Sequence, residues 1–260
     1  MRQTQFQPSL AQRSLRRILC RPWFGRLAGG LFSNRLPSGD ATIATGSALF
    51  TPLTKAAVLL GTYEEVEVDL LREHLEPGPD VVELGASLGV VSAVIARRLR
   101  PGARLLCVEA NPACISSIEA NLEVNARELA TKVINRAVAY GATDVLLDVG
   151  DVNAAFVTDR GGGSGVRVPA TTLGALLRAE QIDRYSAVID IEGSEADLLT
   201  AEPEALRGCR QLFIELHETE RAGERYTVAR LGKLIEGAGF EPLELVWRSP
   251  RLAVGYYLRR

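Results

Sequence analysis

Between Asp80 and Asn135 the chain alternates short apolar runs with stretches of helical spacing, and this alternation constrains the fold more than any other feature. DVVEL, ARLLCVEA and KVINRAVA have the length and apolar content of buried strands. Between them, Val90 to Leu99 and the segment from Pro112 to about Ala126 have apolar residues spaced for one helix face. Strands separated by helices of this length cannot be joined as hairpins, so they form a parallel sheet covered on both faces. The same pattern continues with TLGALLRAEQI (helix), YSAVIDIEG (strand), EADLLTAEPEAL (helix), CRQLFIELHE (strand) and RYTVARLGKLIEGAG (helix). FEPLELVWR and LAVGYYLRR close the chain joined through Ser249-Pro250, a connection short enough only for an antiparallel pair. TDVLLDVG and AAFVTD read as a hairpin or two edge strands, and GGGSG at 161–165 as a loop tip.

Charge is unevenly distributed. Residues 1–39 hold seven arginines and no acid, while the whole chain of 260 residues has a formal charge of −2. We read residues 1–40 as a basic extension and 41–260 as one domain. The run around Arg16 and Arg17, with Trp23 and Phe24, is weakly amphipathic, so the extension is a candidate for docking on an anionic membrane or a protein partner. The acidic remainder argues against nucleic acid as a substrate. Cys20, Cys107, Cys114 and Cys209 are scattered without metal-ligand spacing and read as reduced thiols, the expectation for a cytoplasmic protein. With only His74 and His217, a histidine-rich metal site is excluded, and His74 reads as structural on the exposed side of its helix.

The first strand runs into VVELGASLGV, where Gly85 and Gly89 follow an acid, Glu83, inside the apolar run. In a parallel sheet, ligands sit beyond the carboxyl ends of strands where strand order reverses. Gly85 to Gly89 lies after the first such strand, and Glu109 ends the second, placed to accept hydrogen bonds from the hydroxyls of a ribose. This pairing indicates a nucleoside-containing cofactor. A dinucleotide fingerprint would need glycines at 87 and 90, where the chain has Ser87 and Val90.

The spacing E-x-G-x-x-x-G resembles the first motif of S-adenosylmethionine-dependent methyltransferases. GTYEEVEVDLLREHLEPGPDVVELGASLGVVSAVIARRL, VEANPACISSIEANLEVN, VPATTLGALL, VIDIEGSEADLL and FIELHE together resemble the FkbM family, over about residues 61–245. The D-x-E-G-x-E run from Asp190 to Glu195 is the most specific element. The chain departs from the family's common residues at Glu83, Ser87, Gly174 and Val188. The resemblance implies an α/β, Rossmann-like class I methyltransferase fold, with a mostly parallel seven-stranded sheet, an antiparallel C-terminal pair and helices on both faces. It implies S-adenosylmethionine as cofactor, held by Glu83, Gly85, Ala86, Ser87, Gly89, Glu109 and Ala110, the glycines making room for the methyl donor. The implied reaction is O-methylation of a hydroxyl on a sugar, glycan or secondary-metabolite acceptor, with a binding module without turnover as the alternative.

Methyl transfer to oxygen needs alignment, exclusion of water and a base for the hydroxyl proton. The fourth strand delivers Asp190 with Glu192 just beyond, and the fifth delivers Glu215 and His217 on one side. These four are the candidate catalytic residues. Asp190, Glu215 and His217 also form a ligand set suited to a magnesium or manganese ion.

Overall fold

The computed structural model describes residues 2–6, 21–148, 156–157 and 165–260. Along the chain lie β1 (Arg2–Gln5), α1 (Pro22–Leu31), the hairpin β2 (Arg35–Ser38) and β3 (Ala41–Ala44), α2 (Pro52–Leu59) and α3 (Glu65–His74). The alternation expected from the sequence follows as β4 (Asp80–Leu84), α4 (Val90–Arg98), β5 (Arg104–Glu109), α5 (Ile115–Asn125) and β6 (Ala130–Asn135). The short strands β7 (Ala137–Val138), β8 (Asp144–Asp148), β9 (Phe156–Val157) and β10 (Val166–Thr171) make a separate four-stranded sheet. Then come α6 (Leu173–Glu180), β11 (Tyr185–Ile189), α7 (Glu195–Ala201), β12 (Cys209–His217) and the hairpin β13 (Thr219–Arg221) and β14 (Glu224–Tyr226). Helix α8 (Val228–Gly237) precedes β15 (Phe240–Ser249) and β16 (Leu252–Arg259).

The main sheet has the order β1-β15-β16-β12-β11-β4-β5-β6. Strands β4, β5, β6, β11 and β12 run parallel, and β16 runs antiparallel to both its neighbours. This is the Rossmann-like methyltransferase architecture expected, with one added edge strand. Arg2–Gln5 pairs parallel with Glu244–Trp247 through its backbone, although its polar sequence carries no strand pattern. Period-two alternation sends Val81, Cys107 and Val188 into one apolar layer, and Val82, Leu106 and Ile189 into the other. Three helices start where a threonine oxygen accepts a backbone N–H: Thr51 from Thr54, Thr172 from Ala175 and Thr227 from Arg230.

Residues just before 41 are packed against the rest. Leu36 and Ile43 are fully buried across the β2–β3 hairpin. Asn121 and Asn125 of α5 accept the Ala44 and Thr42 backbone N–H groups at 2.7 and 3.0 Å. His74 differs from its sequence reading. It is half-buried, its ring stacked on Tyr256 at 4.6 Å with Nε2 3.5 Å from Glu244. Cys107, Cys114 and Cys209 are buried free thiols, and Cys20 lies outside the described residues. So do the connection between β8 and β9 and all of GGGSG except Gly165. Among the described residues, no helix is long and apolar enough to cross a membrane.

Candidate active site

Strand order reverses between β4 and β11: after β4 the chain builds outward through β5 and β6, then returns to place β11 on the other side. A cavity of about 420 Å³ opens at the carboxyl ends of these strands, in the size range of small-molecule sites. Gly85, Ser87, Glu109, Ala110, Asp190, Glu192, Glu215 and His217 all line it. Glu83, Ala86 and Gly89 are not part of its lining.

The two glycines serve packing between protein segments. A Cβ on Gly85 (φ +88°) would lie 1.7 Å from the Asp190 carbonyl oxygen, and one on Gly89 (φ +77°) 2.7 Å from the Ile118 Cα. The first glycine therefore lets β4 close on β11, and the second lets the start of α4 close on α5. Ser87, between them, adopts a left-handed φ of +46°.

Glu83 faces the layer beneath α4, where its Oε2 accepts the Ser92 hydroxyl at 2.6 Å. Its Oε1 is buried without a partner, and burial pushes the carboxyl up to about 7. Glu109 ends β5 and organises the loops above it. Its Oε2 accepts the Ser87 backbone N–H at 2.7 Å, and its Oε1 accepts that of Asn111 at 2.6 Å. Burial raises its proton affinity, and the Asn111, Ser87 and Ala110 N–H groups oppose that rise.

On the other side of the cavity acids dominate. Asp190 follows β11, with Oδ1 buried and unpartnered. Burial and the Glu215 carboxylate push Asp190 well above the usual range, while His217 pulls it back. Glu192 takes a left-handed φ of +52° in the turn and lies 3.4 Å from His217 Nε2. His217 Nδ1 is 3.2 Å from Oε1 of the fully buried Glu195, which also accepts the Ile191 N–H. Burial alone would lower the His217 pKa. The Glu195 hydrogen bond and the charges of Glu195, Asp190 and Glu215 outweigh burial and push it up to about 9. Glu215 is buried, with Arg248 Nη1 3.4 Å away.

The set Asp190, Glu215 and His217 is not brought together as one cluster. Among the described residues, ligand-capable atoms gather in two groups that share Asp190, each within 4.8 Å: Asp190 with Glu195 and His217, and Asp190 with Glu64, Glu67 and Glu215. Glu64, Glu67 and Arg248 carry no role in the sequence reading, and Glu195 enters it only as the end of the D-x-E-G-x-E run. Two of them carried a signal, because Glu67 and Glu195 stand three and four residues before Leu70-Leu71 and Leu198-Leu199. That spacing puts an acid in the apolar stripe of its own helix.

A family model described as the methyltransferase FkbM domain matches residues 83–242. No curated protein sequence matches the chain. Among solved structures, EvdMO1 is 16% identical with a TM-score of 0.44, over 75% of this chain. This chain spans only 41% of the EvdMO1 chain. The fibrillarin of Aeropyrum pernix, with natively bound S-adenosyl-L-methionine, is 13% identical with a TM-score of 0.44, over 75% of this chain and 74% of its own. The METTL16 MTase domain is 13% identical with a TM-score of 0.49, over 92% of this chain and 80% of its own.

Proposed function

The chain belongs to the FkbM methyltransferase family, and from that premise we propose that it methylates a hydroxyl oxygen of a sugar, glycan or secondary-metabolite acceptor. The observation that carries the reading is the placing of Asp190. Its carboxyl group ends the strand beside the reversal point, lines the cavity and has a buried oxygen without a partner. Across the cavity, Glu109 and the Ser87 and Ala110 backbone form the end suited to the nucleoside. S-adenosylmethionine, when bound, supplies a methyl group already activated by its positively charged sulfur.

What remains for the chain is to align the acceptor oxygen, keep water out and receive the hydroxyl proton. Asp190 is suited to receive it, because burial and Glu215 raise its proton affinity above that of an ordinary carboxylate. His217 is suited to the opposite task. With a pKa near 9 it holds its proton at neutral pH, so it acts as a fixed cation that opposes the rise in the Asp190 pKa.

The test is a panel of glycosides and hydroxylated metabolites, with S-adenosylhomocysteine release as the readout and mass spectrometry of the product. An O-methyl ether from at least one acceptor is expected. Cofactor binding without turnover on any acceptor would assign the chain to the binding-module class. An N-methyl product would overturn the oxygen assignment.

A further inference from the structure

We propose that Glu64, Glu67, Asp190 and Glu215 bind one divalent cation of the magnesium, manganese or calcium class. Each offers one carboxylate oxygen, and these oxygens all lie within 4.8 Å of one another. A hard cation at its usual distance of about 2.1–2.5 Å from oxygen sets opposite ligands roughly 4–5 Å apart. The quartet is all oxygen, which favours this class over zinc or copper. Glu67 supplies the independent observation. It is 5% exposed, makes no hydrogen bond or ion pair among the described residues, and has carboxylates as its charged neighbours, while Asp190 Oδ1 is buried without a partner. Buried acids without partners are costly unless something compensates them.

Arg248 compensates only in part, at 3.4 Å from Glu215 and 3.8 Å from Glu64. A cation held among the four carboxylates would balance the negative charge that Arg248 leaves uncompensated. The local fold aims the ligands together. Glu64 caps α3 with a left-handed φ of +47°, and Glu67 follows in the first turn of that helix. The inference deepens the proposed function, since a cation at Asp190 would bind the acceptor hydroxyl and lower its pKa. Asp190 could hold it with one oxygen and receive the proton on the other.

The experiment is titration of the full chain with manganese, following loss of the free-ion paramagnetic resonance signal without cofactor or acceptor. One ion per chain is expected, displaced by excess magnesium or calcium. Glu67→Gln keeps the side chain's shape and should weaken binding at least about tenfold, whereas His217→Gln should change it much less. A circular dichroism spectrum matching wild type shows that each variant is folded. Absence of binding at about pH 8, where carboxylates ionise more fully, would overturn the site. So would manganese affinity lost with His217→Gln and retained with Glu67→Gln. Because neither cofactor nor acceptor is present, failure here leaves the methyl-transfer reading standing.

A different surface carries a second inference independently. The structure assigns the outward face of α1 to an anionic lipid surface. Trp23, Leu27 and Leu31 recur at four-residue spacing and are more than half exposed, with Phe32 and Leu53 exposed beside them. The opposite face is buried through Gly25, Ala28 and Gly29, so the apolar outward face is not needed for the core. Arg21, Arg26 and Arg35 are exposed around it, and residues 1–39 contain no acid. An apolar face with aromatic and arginine flanks suits a bilayer interface, and the charge complements anionic headgroups. Flotation with vesicles of phosphatidylglycerol and phosphatidylcholine should recover the protein. Pure phosphatidylcholine should recover far less, and paired Trp23→Ser and Leu27→Ser substitutions should lower recovery at least about fivefold. Equal recovery by the variant would overturn the inference. So would an oligomer abolished by the same substitutions without any vesicle binding.

Discussion

A Cβ on Gly85 would stand 1.7 Å from the carbonyl oxygen of Asp190, so the glycine turn and the acidic strand end are fitted to one another at the point where strand order reverses. The contact is to backbone, which cannot swing aside, and the φ of +88° adds strain for any other residue. Gly85→Ala should therefore destabilise the fold by on the order of 2–5 kcal/mol, measured by denaturant unfolding. Gly102→Ala is the control. Its φ is +83°, but nothing lies within 4 Å, so only the backbone term remains, about 1–2 kcal/mol. Equal losses at the two positions would show that β11 moves away freely.

Glu109 is tied to the loops on both sides by the Ser87 and Asn111 N–H groups. Each carboxylate oxygen has further lone pairs, so these bonds orient the group while leaving capacity for ribose hydroxyls. Glu109→Ala should weaken S-adenosylhomocysteine binding by on the order of 2–3 kcal/mol, roughly 30- to 150-fold by calorimetry. Unchanged affinity would show that the acid serves only the loops.

The sheet could be read from the sequence because its strands are dense in β-branched and leucine residues, and because helices of fixed length separate them. Arg2–Gln5 could not, since it joins the edge through backbone bonds that a polar sequence does not advertise. In the site, Asp190 and Glu215 stood out as acids inside apolar runs. Glu64 did not, and Glu67 was marked only by its spacing to Leu70 and Leu71, because an acid at a helix start is favoured by the dipole wherever its side chain points. The orientation of Glu83 was likewise hidden. The sequence shows an acid in a strand, and only packing decides whether it meets the cavity or Ser92.

That burial makes Glu83 a pH-dependent liability. Desolvation raises its folded pKa from 4.5 to about 7, so the folded state binds more protons than the unfolded state between those values. Stability should be highest with respect to this group below pH 4.5 and fall as pH rises through about 7. The loss is roughly 3 kcal/mol. Glu83→Gln removes the charge and should recover most of that stability at about pH 8, with little gain at low pH. Chemical denaturation of both proteins across this range tests it. A variant less stable than wild type at high pH would show that the charged form is the one the fold requires.

Asp190 and His217 should separate in their effects on turnover. Asp190→Asn keeps the shape of the side chain and removes the proton acceptor, so turnover should fall by on the order of 10²–10⁴. Affinity for S-adenosylhomocysteine should change little. His217→Gln removes a cation that lowers the Asp190 pKa, so the acidic limb of the pH–rate profile should move to higher pH. The same histidine contributes stability that, like that of Glu83, falls as pH rises. Its folded pKa is raised from 6.5 to about 9, so its contribution is complete below 6.5 and is lost as pH rises through about 9. Wild type should lose stability across that interval relative to His217→Gln. An acidic limb that stays in place in His217→Gln, or moves down, would mean that Asp190 does not feel the imidazolium. Proton acceptance would then have to be reassigned to another carboxylate of the cavity.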